Sequence, residues 1–281
     1  MSVDSKFLSF INGIQENKIS VADRGLAYGH GLFETIRVSK GAAALLEYHI
    51  LRLLKGAKII GVTADRKLIE KYINQLLEAY PGEGIIKIIV TAGSSQRGYF
   101  HDKKNDTYYV TQWFPAVAIE PSLRKKGIAL KYCKHRLPHS PILAGIKHLN
   151  RLDQIIARSE WSEEFHDGLV LDIDDNVIEC TSSNIFVYKN GVWMTPKINR
   201  CGVSGVMREY LISKLIPDTG DDIMEVNLPL EVFLSSDEVF ICNSINGIFP
   251  VVSVENLCKF PSGFATEKIN KVLCKEFSCY Q

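Results

Sequence analysis

The run AGIKHLNRLDQ, residues 144–154, sets Lys147 just after a loop holding Pro138 and Pro141, where helical spacing begins. A primary amine is a nucleophile only without its extra proton, and an ordinary lysine keeps that proton at neutral pH. Burial and a nearby positive group both favour its release. Lys147 therefore reads in two ways: as a solvated surface charge, or as an amine held in a pocket for covalent chemistry.

Other residues bear on the choice. GVSGVMR, residues 202–208, is a glycine-rich turn opening a helix. Such a turn exposes unpaired N–H groups at the positive end of a helix dipole, a ready phosphate cradle. Arg52, in HILRL, offers a charged fork for the same phosphate. Glu179, in NVIECTSSNIF, sits among apolar and small neighbours. A buried carboxylate there needs a cationic partner, and a protonated pyridine nitrogen is one. Arg97 and Tyr99, in SSQRGYF, lie in a polar loop between apolar strands, where an arginine suits capture of a carboxylate. Taken singly, each residue also reads as a surface charge, a turn or loop polarity. Together they are an amine nucleophile, a phosphate cradle, a carboxylate for a ring nitrogen and an arginine for a substrate acid. Those are the parts a protein contributes to a pyridoxal phosphate site.

Several other chemistries are disfavoured. His135 and His139 stand four apart, but Pro138 and Pro141 argue against the helix that would align them on a metal. No H-E-x-x-H, G-x-S-x-G or Walker loop occurs, so no metal site is expected. The seven cysteines are odd in number and lack a C-x-x-C pair, which argues against a disulfide scaffold or zinc ribbon. With 33 basic and 32 acidic residues, the chain has no electrostatic footprint for nucleic acid or an anionic membrane. The first ten residues lack the blocks of a signal peptide, and no apolar run reaches bilayer length. A cytoplasmic protein with a small-molecule substrate is expected.

Elements must then position these residues. FLSFING reads as a strand ending in an Asn-Gly turn, and LFETIRV-SKG-AAALLE as a hairpin. Ile50, Leu53, Leu54, Ala57 and Ile60 share a helical face, which Gly61 ends. A second helix follows at RKLIEKYINQLLEAY, then strands at GIIKIIVTAG and TYYVTQWF. After the prolines of PAVAIEPS come a strand at GIALKYCKHRL and a helix carrying Leu149, Leu152, Ile156 and Trp161. The stretch 168–196 reads as a meander of three or four strands, and DEVFICNSINGIFPVVSV as strand, polar loop, strand. Mixed strands and helices in both halves predict a two-lobed α/β (mixed α+β) fold. The expected division is an N-terminal lobe at 1–114, a linker at 115–122, and a C-terminal lobe at 123–281 that carries the lysine.

The order of the blocks VADRGLAYGHGLFETIRV, EYHILRLLKGA, GIKHLNRLDQ, GLVLDIDDNVIECTSSNIF, GVSGVMR and DEVFICNSINGIFPV resembles the class IV aminotransferase family nearly end to end. That resemblance implies a fold type IV enzyme using pyridoxal 5'-phosphate, with its active site in a cleft between the lobes, and a homodimer. It implies that Lys147 forms the internal imine, that Glu179 pairs with the pyridine nitrogen and that Arg52 meets the phosphate. The backbone N–H groups of Val206 and Met207, with the Ser244 hydroxyl, are implied to complete the phosphate site. Tyr28, Arg97, Tyr99 and Asn243 are implied on the substrate side. Thr35, where branched-chain aminotransferases carry glycine, resembles the family's lyase branch, in which such a threonine assists proton transfer. The blocks AGIKHLNRL, QRGY and ICNSINGIFPV look like that branch too. Its reaction eliminates pyruvate to leave 4-aminobenzoate, a folate precursor. Glu34 is more aminotransferase-like. Met207 stands where aminotransferases place a phosphate-binding hydroxyl, and Arg151 where they place a tyrosine. D-amino-acid or branched-chain transamination, and non-catalytic binding on the same fold, are the other readings.

Overall fold

The computed structural model describes residues 8–102, 106–116, 120, 122–261 and 263–280. The chain forms two compact units, Met1–Ala118 with Ile146–Asn150, and Ile119–Gly145 with Arg151–Gln281. Both mix strands and helices, as expected. Of the linker read at 115–122, residues 117–119 and 121 lie outside the described residues, as does the first residue of FLSFING.

Among the described residues the first unit is built on one antiparallel sheet. Its strands are β1 (Leu8–Ile11), β2 (Ile14–Gln15), β3 (Gly31–Ser39), β4 (Ala42–Ala43), β5 (Gly84–Thr91) and β6 (Tyr108–Pro115), in the order β2-β1-β6-β5-β3-β4. The helices are α1 (Arg24–Tyr28), α2 (Leu46–Ile60) and α3 (Arg66–Ala79). Both hairpins turn on pairs with positive φ, Asn12-Gly13 at 51° and 80° and Lys40-Gly41 at 51° and 75°. That geometry suits the right-handed twist of the flanking strands. Along β3 the pleat buries Leu32, Glu34, Ile36 and Val38 and leaves Phe33, Thr35 and Arg37 half-buried on the other face.

Helix α2 buries Ile50, Leu53 and Ala57 as expected, but His49 and Gly56 complete that face, while Leu54 and Ile60 are only half-buried. Gly56 is required by close approach. A Cβ there would stand 2.8 Å from Ile146 and 2.9 Å from Leu32. The segment holding Ile146 lies antiparallel to the start of β3. Phe33 N–H donates to the Lys147 carbonyl at 3.0 Å, and Leu149 N–H to the Gly31 carbonyl at 3.0 Å. Residues 146–150 are thus bridged to β3 and not helical, and the helix expected near Lys147 starts only at Leu152. The sequence division placed the lysine in the C-terminal lobe; its ladder with β3 assigns it to the first unit instead.

The second unit carries β7 (Ile128–Leu137), β8 (Asp167–Asp172), β9 (Asn176–Cys180), β10 (Asn184–Lys189), β11 (Val192–Pro196), β12 (Asp222–Val226), β13 (Leu228–Pro229), β14 (Glu238–Asn243), β15 (Gly247–Val254) and β16 (Cys258–Lys259). The path β10-β14-β15-β7-β8-β9 returns to its start, because Asn184 on β10 pairs with Glu179 on β9. The meander read from the sequence is therefore part of a closed sheet. Ile128, Leu130, Leu169, Leu171, Ile185 and Val187 belong to its buried cluster, which fills the unit with side chains.

Helices α4 (Leu123–Lys126), α5 (Leu152–Arg158), α6 (Val206–Tyr210), α7 (Ile216–Asp218), α8 (Leu230–Leu234) and α9 (Phe264–Glu276) complete the unit. A π-helical turn at Leu211–Leu215 joins α6 to α7 in one continuous run. The apolar stripe expected on α5 does not face the core. Leu152 and Ile156 are 70% and 50% exposed, and Ala157 is the buried residue. No helix among the described residues is long and apolar enough to cross a membrane.

Candidate active site

In the first unit, Lys147 is half-buried. Its Nζ lies 4.5 Å from the centroid of the Phe33 ring, a cation–π distance. Phe33 and Thr35 are two residues apart on β3 and so point to the same face. Lys87, opposite Thr35 on β5, brings a second ammonium to within 5.6 Å of the same ring centroid. Sequence reasoning missed Lys87, though its place in the alternating strand GIIKIIVT, the one charge among apolar residues, was a usable signal.

On the opposite face of β3, Glu34 is buried and takes three donors. Arg52 Nε donates to Oε1 at 2.7 Å, Arg52 Nη2 donates to Oε2, and His49 Nδ1 lies 2.6 Å from Oε2. Burial pushes the Glu34 carboxyl up, but the Arg52 charge and the His49 contact outweigh it and hold the group down at about 2. Burial likewise lowers the His49 imidazole; Glu34 opposes that, and the charges of Arg52 and Lys147 add to it. The fork expected to meet a phosphate is thus oriented by a carboxylate in this chain. The sequence marks Glu34 only as aminotransferase-like, and nothing in it announces the partnership with His49, three residues before Arg52 on α2.

The loop after β5 holds the expected substrate residues. Arg97 and Tyr99 are exposed, and Tyr28 packs its ring 5.7 Å from that of Tyr99. The Tyr28 hydroxyl accepts the Gly98 N–H at 3.0 Å.

In the second unit, Glu179 is 4% exposed at the seam of the closed sheet. Its Oε2 accepts the Val203 N–H at 2.8 Å, and Gln154 Nε2 lies 3.4 Å from Oε1. Asn184 anchors the same loop by donating to the Val203 carbonyl at 2.8 Å. A Cβ at Gly205 would collide with Asn184 Oδ1 at 2.0 Å, so glycine is needed where the loop enters α6. Gly205 caps α6 with no side-chain hydrogen bond, which leaves the N–H groups of Val206 and Met207 at an uncapped helix start. Arg208 turns the other way, to the Pro196 carbonyl at 2.8 Å and Glu225 at 2.5 Å. Arg151, standing where aminotransferases place a tyrosine, is half-buried, and burial lowers its guanidinium while Glu179 opposes that shift.

The β14–β15 turn holds Asn243 and Ser244. Asn243 Oδ1 accepts the N–H groups of Ile245 and Asn246 at 3.0 and 2.7 Å, and its Nδ2 donates to Ser183 Oγ at 3.1 Å. Asn243, expected on the substrate side, uses its amide to shape the turn that holds Ser244. The Ser244 carbonyl is tied to the Tyr280 hydroxyl at 2.8 Å. His139, left aside as a metal ligand, pairs with Asp172 at 3.0 Å, with the Cys201 thiol also near.

Taken separately, each unit offers groups of a kind that suits such a cofactor. The first holds an amine against an aromatic ring, for an aldehyde. The second holds a buried carboxylate, for a basic ring nitrogen, and a glycine-built helix start, for a phosphate.

Residues 31–254 match the family model described as amino-transferase class IV. The chain belongs to that family, whose members use pyridoxal 5'-phosphate. Aminodeoxychorismate lyase of Vibrio harveyi is 30% identical over 266 residues, covering 92% of this chain and 97% of that protein. A protein of Methanocaldococcus jannaschii, provisionally named a branched-chain-amino-acid aminotransferase, is 32% identical over 251 residues, covering 86% and 84%. The crystal structure of 4-amino-4-deoxychorismate lyase from Pseudomonas aeruginosa superposes with a TM-score of 0.93 at 35% identity, over 96% of this chain and 99% of that one.

Proposed function

We propose that the protein is a pyridoxal phosphate-dependent 4-amino-4-deoxychorismate lyase, releasing pyruvate and leaving 4-aminobenzoate for folate synthesis. The observation that carries this reading is Lys147 set over Phe33, on the face of β3 that also carries Thr35, within a fold so close to that of the Pseudomonas lyase.

Lys147 would bond the cofactor aldehyde, and Glu179 would hold the ring nitrogen protonated. Arg52, the N–H groups of Val206 and Met207, and Ser244 would hold the phosphate. Bound there, the cofactor supplies an electron sink for the pair left when the amine-bearing carbon loses its proton. The Lys147 amine would take that proton. It would then return one to the departing enolpyruvyl oxygen, a step that the Thr35 hydroxyl would assist. Arg97 and Lys87 supply positive charge for the substrate carboxylates, with Tyr28 and Tyr99 beside Arg97. Aromatisation of the ring drives the elimination, and acid–base steps of this kind contribute ~10²–10⁴-fold.

We also place the protein in the cytoplasm as a homodimer. Exposed Leu152, Ile155 and Ile156 on α5 are apolar surface suited to a second copy. Light scattering on the eluting protein checks the dimer.

Transamination is the second reading, supported by Glu34 and by the Methanocaldococcus relative. The deciding experiment incubates the cofactor-loaded protein with aminodeoxychorismate, D-alanine or branched-chain amino acids in separate reactions. Equal amounts of pyruvate and 4-aminobenzoate, formed without a keto-acid acceptor, support the lyase. Amine transfer that requires a keto acid, with no 4-aminobenzoate, overturns it.

A further inference from the structure

Arg24 opens α1 and is 3% exposed. A guanidinium taken out of water needs acceptors for its five N–H groups. This one finds most of them in a single loop. Nη1 donates to Ser95 Oγ at 2.9 Å, to the Gly98 carbonyl at 2.9 Å and to the Phe100 carbonyl at 3.2 Å. Nη2 donates to the Tyr99 carbonyl at 3.1 Å. Nε donates to His30 Nδ1 at 3.2 Å. His30 Nε2 lies 2.8 Å from the Ile60 carbonyl. A carbonyl only accepts, so Nε2 carries the hydrogen and Nδ1 is left to accept from Arg24.

Three consecutive carbonyls, of residues 98, 99 and 100, thus converge on one planar cation. Gly98, at φ 112°, allows the backbone to turn there. The Tyr28 ring, 5.0 Å from Arg24 Cζ, closes the cluster from the side. With the carbonyls drawn inward, the side chains are displayed. Tyr99 and Phe100 are 89% and 85% exposed, and Arg97 is exposed beside them. Pinned backbone with displayed side chains is the arrangement of a pre-organised recognition loop. An unpinned loop must be ordered at the moment of binding, which weakens affinity.

We propose that Arg24 is a positioning residue for the substrate loop, fixing residues 95–100 so that Arg97 meets the acidic substrate in one geometry. This rests on the function proposed above. The consequence is specific: losing the clamp raises KM and spares kcat, and the effect requires Arg97.

The test uses the cofactor-loaded protein with Arg24→Lys and Arg24→Gln. Lysine keeps the charge and loses the fork. Trypsin cleavage of the Arg97–Gly98 bond, followed by mass spectrometry without substrate, should speed about tenfold, as expected when several coupled hydrogen bonds are lost. KM for aminodeoxychorismate should rise about tenfold with kcat within about twofold, and cofactor absorption should stay unchanged. In an Arg97→Ala background, Arg24→Lys should leave KM where it was. An unchanged cleavage rate overturns the proposal, as does an equal rise in KM with and without Arg97. Should the unaltered protein show no lyase turnover, the assigned function fails, while the cleavage arm still decides the clamp. Arg24→Lys carries the test if Arg24→Gln does not fold.

Discussion

Lys147 Nζ stands 4.5 Å above the centre of the Phe33 ring, on the face of β3 that also presents Thr35. The lysine is thereby held by its own ladder with β3 rather than by a flexible tether. Lys147→Ala should abolish both turnover and the visible absorption of bound cofactor while leaving the far-ultraviolet spectrum intact. Lys147→Arg should do the same, because a guanidinium stays protonated. Retained absorption in either variant would separate the lysine from the cofactor.

Thr35 offers a hydroxyl at the same face. Thr35→Ala should lower kcat by ~10²-fold, within the range of acid–base contributions, with KM little changed. Thr35→Ser should recover most of that loss, since it restores the hydroxyl without the methyl. Single-turnover kinetics reads both. Equal losses in the two variants would assign Thr35 to packing alone.

Glu34 links stability to acid. Its carboxyl is held at about 2 in the folded chain, against an ordinary value of 4.5. A depressed carboxyl contributes fully above its unfolded value and loses that contribution as pH falls through the folded one. Between pH about 4.5 and about 2 the protein should lose roughly 3 kcal/mol from this group. Glu34→Gln should be flat from this source over that window. It should also be less stable at neutral pH by roughly 3 kcal/mol, because Arg52 loses a buried partner. Urea unfolding at stepped pH measures both, and parallel curves for the two proteins would refute the assignment.

Four of the seven cysteines, Cys133, Cys180, Cys201 and Cys242, are buried. Burial pushes the Cys133 and Cys201 thiols up to about 12 and raises Cys180 and Cys242 as well. A thiol-exchange reagent at neutral pH should therefore find at most three fast sites, Cys258, Cys274 and Cys279, and all seven only after unfolding. Fast labelling at Cys201 in the native protein would contradict this.

The candidate residues, though not their roles, were legible in the sequence where local spacing marked them. Lys147, Glu179 and the glycine turn before Val206 each follow from residue type and neighbours, as do the Asn12-Gly13 and Lys40-Gly41 hairpins. Long-range pairing was not legible. The seam at Glu179 and Asn184 closes a sheet through strands far apart in the chain. The docking of residues 146–150 on β3 spans more than a hundred residues and has no periodicity to announce it. Arg24 escaped notice because its acceptors are mostly backbone carbonyls, which every residue possesses. His49 sat at a position of α2 that faces inward, but a polar residue there only makes sense once Glu34 is seen beneath it.

The ladder between residues 146–150 and the start of β3 bears on how this chain may be cut. A fragment stopping at residue 118 keeps β3 but forfeits the strand that covers one of its edges. The Phe33 amide and the Gly31 carbonyl would then face solvent on an apolar strand, an open template for unwanted pairing. Severing the protein after residue 118 would thus leave a sticky remnant, and dissection must carry the distant pentapeptide along.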